Sequence, residues 1–211
     1  MRSARRQAVA SRPFRLVGGD ATLDFNNTAS WHENGVHGYE LLGRFEDLAA
    51  WARAAYIVDA PGEHRLLAQA KRDPGSATAA LTRAHALRET LHGVFASLAA
   101  NGNVSARDLT AFNAALRVAS ERLSVIRTSN IFEWHLPVDD VDCVFRHVIW
   151  SAARLITSPE VKRLNLCAGL NCGWLFLDSS KNGSRRWCSM DQCGGRAKAQ
   201  AYQERIAKTG A

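Results

Sequence analysis

Apolar residues recur at intervals of three and four along most of the chain, and this spacing predicts a mainly α-helical protein. The last long helix, over about 139–157, has apolar residues on two faces, and such a helix is usually packed between other elements. Cys143 and Trp150 lie on its second face, so we interpret Cys143 as a buried thiol rather than a reactive one. The other predicted helices cover about 39–57, 61–71, 74–101 and 105–116, the last of which starts with a capping-box pattern at Ser105 and Asp108.

Two further segments place apolar stretches on either side of a short turn, a pattern that is typical of β-hairpins. The first predicted hairpin spans 14–25, with its turn at Gly18-Gly19-Asp20, and the second spans 123–135, with its turn at Thr128-Ser129-Asn130. Ser158-Pro159 then ends the last long helix. The predicted fold is therefore α+β and mainly α: a helical body over 1–159 with two β-hairpins, followed by a small module over 160–211.

The net charge of +7 is unevenly distributed along the chain. Residues 16–161 carry 13 Lys or Arg against 17 Asp or Glu, whereas residues 162–211 carry nine against three, for a net charge of +6. A basic module on an acidic body is typical of proteins that bind a polyanion such as nucleic acid, although a basic face can also serve solubility alone. No apolar run approaches the ~18 residues of a membrane span, and no secretory signal follows the N-terminal arginines, so we expect a cytoplasmic protein.

Four cysteines near the C-terminus form the most specific pattern in the chain. Cys167 and Cys172 are spaced as C-x4-C, and after fifteen further residues Cys188 and Cys193 repeat that spacing. Paired cysteines in a reducing compartment favour one zinc ion, with disulfides or an iron–sulfur cluster as the alternatives. Four thiolates leave zinc no open coordination position, so we expect a structural metal and no enzyme. A module this small buries too little apolar surface to be stable without a metal ion. We therefore expect chelation to unfold 162–211 while the body stays folded.

The residues between and after the cysteines predict a treble-clef-like module. Gly169 and Asn171 permit the left-handed backbone that a tight turn between the first two cysteines needs. A strand over 174–177, a turn and a return strand over 185–188 predict a hairpin between the two cysteine pairs. A helix over about 196–207 follows the second pair and ends the module.

Basic residues surround this module and have two competing interpretations. They can contact DNA phosphates, or they can offset the excess negative charge of a zinc ion held by four thiolates. Both interpretations stay open for Arg186 and Arg196. The candidate DNA-binding residues are Arg185, Arg186, Arg196, Lys198 and Arg205. An apolar stripe on another face of the same helix is expected to pack on the hairpin, and it consists of Ala199, Tyr202 and Ile206.

Two polar clusters lie nearer the N-terminus. His32 and His37 resemble a zinc-protease pair only superficially, because they are five residues apart and glycines interrupt the helix that such a site needs, so we expect a polar loop. Asp24, Asn27 and Thr28 follow a predicted strand. We favour turn and capping chemistry for these three residues, with a small-ligand pocket in the body as the alternative.

The second cysteine pair and its surroundings resemble a known family. Cys188-Ser-Met-Asp-Gln-Cys193-Gly-Gly-Arg196 is similar to the CGNR zinc finger, with Gly195 where that signature has asparagine. Leu23-Asp-Phe-Asn-Asn-Thr28 looks like the Leu-Asp-Phe-x-Asn-Thr opening of the ABATE domain, which usually precedes this finger. Together the two resemblances cover nearly the whole chain.

The resemblance implies a bacterial transcription regulator that responds to stress, in which the finger holds one structural zinc ion through its four cysteines and binds DNA. The N-terminal domain would sense a stress or a small-molecule effector, or mediate formation of a homodimer. The alternative is a zinc-stapled protein–protein interaction module whose basic face meets an acidic protein.

Overall fold

The computed structural model describes residues 14–31 and 39–209. In these two stretches the chain forms seven α-helices and two separate two-stranded antiparallel sheets, which confirms the mainly α prediction. None of these helices is both long enough and apolar enough to cross a membrane. The helices are α1 (Ala21–Asn26), α2 (Phe45–Ala54), α3 (Ala60–Arg72), α4 (Pro74–Ala99), α5 (Ala106–Ser120), α6 (Cys143–Ile156) and α7 (Gly195–Thr209). The strands are β1 (Ser124–Thr128), β2 (Ile131–His135), β3 (Leu164–Leu166) and β4 (Leu175–Leu177). A 3-10 helix, Pro159–Arg163, precedes β3, and a π-helical turn, Met190–Gly194, precedes α7.

Side-chain caps mark the starts of several helices. Asp59 accepts a hydrogen bond from the Gly62 N–H at the start of α3, and Asp73 accepts one from the Ser76 N–H at the start of α4. Ser105 accepts one from the Asp108 N–H at the start of α5, which confirms the predicted cap. These bonds satisfy N–H groups that have no partner within the first helical turn, and so they fix where each helix begins.

The main core lies where α4 and α6 pack against α1, α2 and α5. Helix α4 contributes Leu91 and Phe95, and α6 contributes Val148 and Ile149, all of them fully buried. Helix α6 therefore has neighbours on more than one side, as its two apolar faces predict. Cys143 is fully buried on this helix, and burial raises its pKa to about 12, which confirms a packed thiol.

The hairpin expected over 14–25 is wrong, because Ala21–Asn26 form helix α1 instead. The Asp20 carboxylate caps this helix by accepting a hydrogen bond from the Thr22 N–H at 2.9 Å. Every residue over 22–26 is buried, so each backbone group in this segment needs a partner. A capped helical turn supplies those partners locally, whereas a strand here would depend on a neighbouring strand.

The hairpin expected over 123–135 is confirmed as β1–β2. Ser124 pairs with His135 at the open end, and Thr128 pairs with Ile131 beside the turn. All ten residues of the two strands are exposed to solvent. The hairpin therefore projects from the helical body rather than covering its core.

The strand expected over 174–177 forms as β4, but its partner differs from the prediction. Strand β4 pairs with β3, so that Leu164 lies opposite Leu177 and Leu166 lies opposite Leu175. Residues 185–188 form no strand. Leu164 and Leu175 both belong to the main core, so this pairing buries apolar surface that the arginine-rich segment does not offer.

Candidate metal centre and basic face

The four cysteines of the C-terminal motif converge on one point. Their sulfur atoms all lie within 4.8 Å of one another, and all four residues are buried. Cys188 Sγ lies 3.7 Å from Cys172 Sγ and 3.6 Å from Cys193 Sγ. A tetrahedral zinc ion with Zn–S bonds of about 2.3 Å holds its sulfurs roughly 3.8 Å apart, so this spacing suits one zinc ion. The distances far exceed the ~2 Å of a disulfide bond, so the four cysteines are not joined in disulfides.

The turn from Cys167 through Gly173 depends on residues that tolerate unusual backbone or close contact. Asn171 has a φ of 55° and Gly173 a φ of 62°, the left-handed region that asparagine and glycine adopt most readily. Gly169 does not have a positive φ, so the role expected for it is wrong. A Cβ at this position would lie 2.7 Å from Cys193 Sγ, and glycine is therefore needed to let the two cysteine pairs approach.

Neighbouring groups set the charge state of the sulfur atoms. Thiol hydrogen bonds from Cys172 and Cys188 lower the pKa of Cys167, and the Cys188 N–H donates to the same sulfur at 3.1 Å. Hydrogen bonding to Cys167, together with burial, raises the pKa of Cys172. Four thiolates this close repel one another unless a divalent cation lies between them, which is the chemistry of a structural zinc site.

The basic residues near the centre differ in what they contact. Arg196 donates from Nη2 to Cys193 Sγ at 3.1 Å, and this hydrogen bond raises the pKa of the guanidinium. Arg196 therefore offsets part of the thiolate charge. Arg186, Lys198 and Arg205 are exposed to solvent, so their charges lie on the surface of the molecule.

The apolar stripe of α7 does not pack on a hairpin, which corrects the prediction. Tyr202 is 57% exposed and Ile206 is 53% exposed, and Ala199 is exposed as well. The hairpin of this module is β3–β4, and it packs against α1 and α4 instead. Helix α7 contacts chiefly the π-helical turn before it, so its stripe faces solvent.

Comparison with known families assigns both parts of the chain. Residues 163–206 match the CGNR zinc finger. Residues 19–159 match ABATE, described as "Putative stress-induced transcription regulator". The chain belongs to the ABATE family. Both resemblances noted in the sequence are therefore confirmed, and no curated protein matches the chain significantly.

The CGNR finger is joined to the ABATE domain by hydrogen bonds and by a shared core. The Asn27 side chain, 2% exposed, donates to the Leu175 carbonyl at 2.8 Å and accepts from the Leu175 N–H at 2.9 Å. The Trp31 backbone N–H donates to the Cys172 carbonyl at 3.2 Å. This hydrogen bond links the end of the stretch 14–31 to the first cysteine pair. Because β3 and β4 also contribute to the main core, the finger is built into the body rather than tethered to it.

Arg185, one of the candidate DNA contacts, lies inside this junction. Its Nη2 donates to the carbonyls of Val17 at 2.9 Å and Cys188 at 2.6 Å, and its Nε donates to the Trp187 carbonyl at 3.1 Å. Its guanidinium also lies 4.2 Å from the centre of the Phe176 ring. Arg185 therefore uses its donors within the protein, where it links the chain before α1 to the second cysteine pair.

Asp24, Asn27 and Thr28 also bond within the protein. Asp24 accepts from the Gly18 N–H at 2.7 Å, and burial raises its pKa to about 6. Thr28 Oγ1 donates to the Phe25 carbonyl at 2.7 Å. The Thr28 bond is of the turn type, whereas the two bonds of Asn27 hold Leu175, 148 residues further along the chain.

A cleft of about 1240 Å³ lies between the finger and the ABATE domain. Tyr39, Trp174 and Arg196 are among its lining residues, whereas Asp24, Asn27 and Thr28 are not among those that the structure assigns to it. His32 and His37, expected in a polar loop, lie outside the described residues.

The sequence reasoning missed a buried ion pair beside Thr28. Arg88 is 1% exposed and donates to Thr28 Oγ1 at 2.7 Å and to Glu40 Oε1 at 2.8 Å. Burial alone would raise the pKa of Glu40, but the hydrogen bonds and charge of Arg88 lower it below its usual range. A sequence signal for this pair exists, because Arg88 lies one helical turn after Ala84 on the apolar stripe of α4, where a charge needs a partner.

Proposed function

We propose that this ABATE protein is a bacterial, cytoplasmic transcription regulator that binds DNA through its CGNR finger. The observation that supports the proposal most is an exposed basic face beside a closed four-cysteine centre. Arg186, Lys198 and Arg205 are exposed within a segment whose net charge is +6. Residues 198–207 of α7 are exposed without interruption, as a helix that enters a DNA groove must be.

The metal centre has a structural role in this proposal. Four cysteine ligands would fill the coordination sphere of zinc, which leaves no position for a reacting water or substrate. Cys193 lies just before α7, so the bound ion would fix the direction in which the basic helix projects. We therefore propose recognition of a ligand by the finger, and no catalysis.

The candidate DNA contacts have different roles in this proposal. Arg186, Lys198 and Arg205 neutralise phosphates, which is the sequence-independent part of DNA affinity. Arg196 divides its donors between Cys193 Sγ and the DNA backbone. Arg185 holds the junction between the two domains and supports DNA binding only by keeping the finger in place.

We infer that the ABATE domain receives a stress signal or a small-molecule effector and passes it to the finger through α1. Asn27 follows α1 directly and holds β4 by two hydrogen bonds, so a displacement of α1 would move the strand beside the metal centre. Asp24 and Thr28 flank this contact, and together with Asn27 they are the candidate effector contacts. We place the boundary between the two units near Pro159, with 1–159 as the ABATE-type body and 160–211 as the finger.

Fluorescence anisotropy with labelled duplex DNA and zinc-loaded full-length protein tests the DNA-binding proposal. The double variant Lys198→Ala/Arg205→Ala should bind DNA more weakly, and its slope of log affinity against log salt should fall by about 2, one for each lost phosphate contact. The matched control Lys71→Ala/Arg65→Ala removes one lysine and one arginine that are exposed on α3, and its affinity should stay close to that of the unmodified protein.

Two outcomes would contradict the proposal. The unmodified protein would fail to bind duplex DNA even at low salt, or the α3 control would lose as much affinity as the α7 variant. Binding of an acidic protein in place of DNA would instead support the alternative interaction module.

A further inference from the structure

The N-terminal segment, residues 1–18, is strongly basic. It carries five arginines and no Lys, Asp or Glu, so its net charge is +5. It lies outside both family matches, which cover 19–159 and 163–206. Positive charge is therefore concentrated in two parts of the sequence, this segment and the finger, whereas the residues between them carry a net negative charge.

Two backbone hydrogen-bond acceptors attach the end of this segment to the finger. Arg185 Nη2 donates to the Val17 carbonyl at 2.9 Å, and the Leu177 N–H donates to the Gly18 carbonyl at 2.7 Å. Leu177 is the last residue of β4, and Arg185 lies three residues before the second cysteine pair. The segment therefore joins the fold at the finger, although 160 or so residues separate the two along the chain.

The arginine nearest to this attachment lies close to the candidate DNA contacts. Arg15 forms an ion pair with Asp191, with 3.3 Å between Nη2 and Oδ2. Asp191 belongs to the π-helical turn that leads into α7. Arg15 and Arg196 also line the same cleft. The N-terminal segment is thus held beside the start of the basic helix.

This arrangement brings two segments of like charge together. The N-terminal segment carries +5 and residues 162–211 carry +6, a combined net charge of +11. Like charges that are held close together repel one another, and a polyanion that contacts both removes the repulsion. Duplex DNA carries one negative charge per ~1.7 Å of its axis, so one duplex can neutralise both segments at once.

We propose that the N-terminal segment is a second DNA-binding element, which contacts the phosphate backbone beside the site of the finger. Arg15 attaches the segment to the finger, and four arginines contact phosphates: Arg2, Arg5, Arg6 and Arg12. Thirteen residues span at most about 43 Å when extended, and one turn of a DNA duplex measures about 34 Å. Residues 1–13 are therefore long enough to reach phosphates beyond those that the finger contacts.

The chemistry of arginine suits this role. Its planar guanidinium forms paired hydrogen bonds with phosphate oxygens and stays charged at any physiological pH. Phosphate contacts carry no sequence information directly, so the segment would raise affinity for any duplex. Discrimination between sequences would remain with the finger.

Fluorescence anisotropy with labelled duplex DNA and zinc-loaded full-length protein tests the inference over a series of salt concentrations. The quadruple variant with glutamine at positions 2, 5, 6 and 12 should bind DNA at least about tenfold more weakly at ~0.1 M salt. Its slope of log affinity against log salt should fall by at least about 2, because each lost phosphate contact removes about one. Lysine at the same four positions should restore most of the slope, since an ammonium group also binds phosphate.

The matched control removes four exposed arginines from α3 and α5 by substitution with glutamine: Arg65, Arg72, Arg107 and Arg117. It lowers the net charge by the same amount, and its salt slope should stay close to that of the unmodified protein. Circular dichroism and elemental analysis should show native helix content and one zinc per chain for every variant. An N-terminal variant whose slope falls no further than that of the control would overturn the inference.

The inference rests on the proposed DNA-binding function, and the experiment separates the two. If the N-terminal variant binds like the unmodified protein while Lys198→Ala/Arg205→Ala binds weakly, the N-terminal element is refuted and the role of the finger stands. If the α7 variant binds normally and the N-terminal variant does not, the N-terminal element is supported and the role of the finger is refuted. An unmodified protein that binds no duplex would refute both.

Discussion

The two hairpins of this protein have similar residue types and opposite environments. Strands β1 and β2 expose every residue, although Phe132 and Trp134 are as apolar as any core residue. On β4, by contrast, Leu175 and Phe176 are fully buried. Aromatic and aliphatic composition therefore specifies a hairpin in both places but does not decide what covers it.

The difference comes from partners that are distant in sequence. Asn27 lies 148 residues before Leu175, yet it supplies the hydrogen bonds that hold β4 against α1. No comparable clamp holds β1–β2 among the described residues, where Trp150 provides packing at one end. One hairpin thus joins two domains of the same chain, whereas the other leaves its apolar side chains largely exposed to solvent.

Removal of zinc should have the largest effect on stability. It should unfold the metal centre while the neighbouring hairpin, β3–β4, stays folded. Chelation removes a local stabilisation of roughly 10 kcal/mol, so hydrogen exchange should accelerate over 167–173 and 185–209. Strands β3 and β4 should keep much of their protection, because Leu164 and Leu175 belong to the ABATE core. The sequence alone predicts that chelation unfolds all of 162–211. The structure instead predicts that unfolding stays within the segments around the metal centre.

Two cysteine substitutions supply the comparison for this experiment. Cys188→Ser should reproduce the effect of chelation, whereas Cys143→Ser alters a buried cysteine outside the ligand set and should keep one zinc per chain by elemental analysis. Complete loss of exchange protection in β4 after chelation would show that the hairpin depends on the metal rather than on the body.

Substitution of one phenylalanine in each hairpin, Phe176 on β4 and Phe132 on β2, compares how much each hairpin contributes to stability. Phe176→Ala should lower the free energy of unfolding by about 3–5 kcal/mol, because it empties a fully buried site against the Arg185 guanidinium. Phe132→Ala should change it by no more than about 0.5 kcal/mol, because this side chain is 74% exposed. Urea denaturation of both variants measures the difference, and equal losses would contradict the contrast between the hairpins.

Substitution of Asn27, which contacts β4, and of Asn130, in the turn between β1 and β2, should change the free energy of unfolding by a smaller amount. Asn27→Ala leaves the Leu175 N–H and carbonyl without their partner, which should cost about 2–4 kcal/mol, whereas Asn130→Ala removes one exposed hydrogen bond and should cost less than about 1 kcal/mol. Thermal unfolding monitored by circular dichroism distinguishes them. Similar melting temperatures for the two variants would mean that Asn27 does not hold the finger to the body.

Local signals in the sequence were enough for helices α2 to α7 and for the metal ligands. The stripe of α6 and the Ser105 cap are visible within a few residues, so the corresponding elements form where they are expected. The four cysteines are recognisable because metal ligands need a fixed spacing along the chain. These features depend on near neighbours, which is why one sequence suffices to find them.

The errors arose where long-range contacts decide the structure. The segment 21–26 has strand-like composition, but its burial on all sides and the Asp20 cap favour α1. The partner of β4 is β3 because Leu164 reaches the core, and spacing between cysteines cannot reveal that. Likewise, Arg185 resembles a phosphate contact in sequence, while its carbonyl partners include Val17 at the other end of the chain.

The clamp at Asn27 has a consequence for how operators would be arranged on DNA. A finger on a flexible linker can reach half-sites at many separations, whereas a finger fixed to its domain cannot turn or extend independently. In a homodimer of this protein, the two basic helices would be held at one separation and one relative angle. Inserting half a helical turn of DNA between two half-sites should therefore place the second site on the wrong side of the duplex, beyond the reach of the second finger.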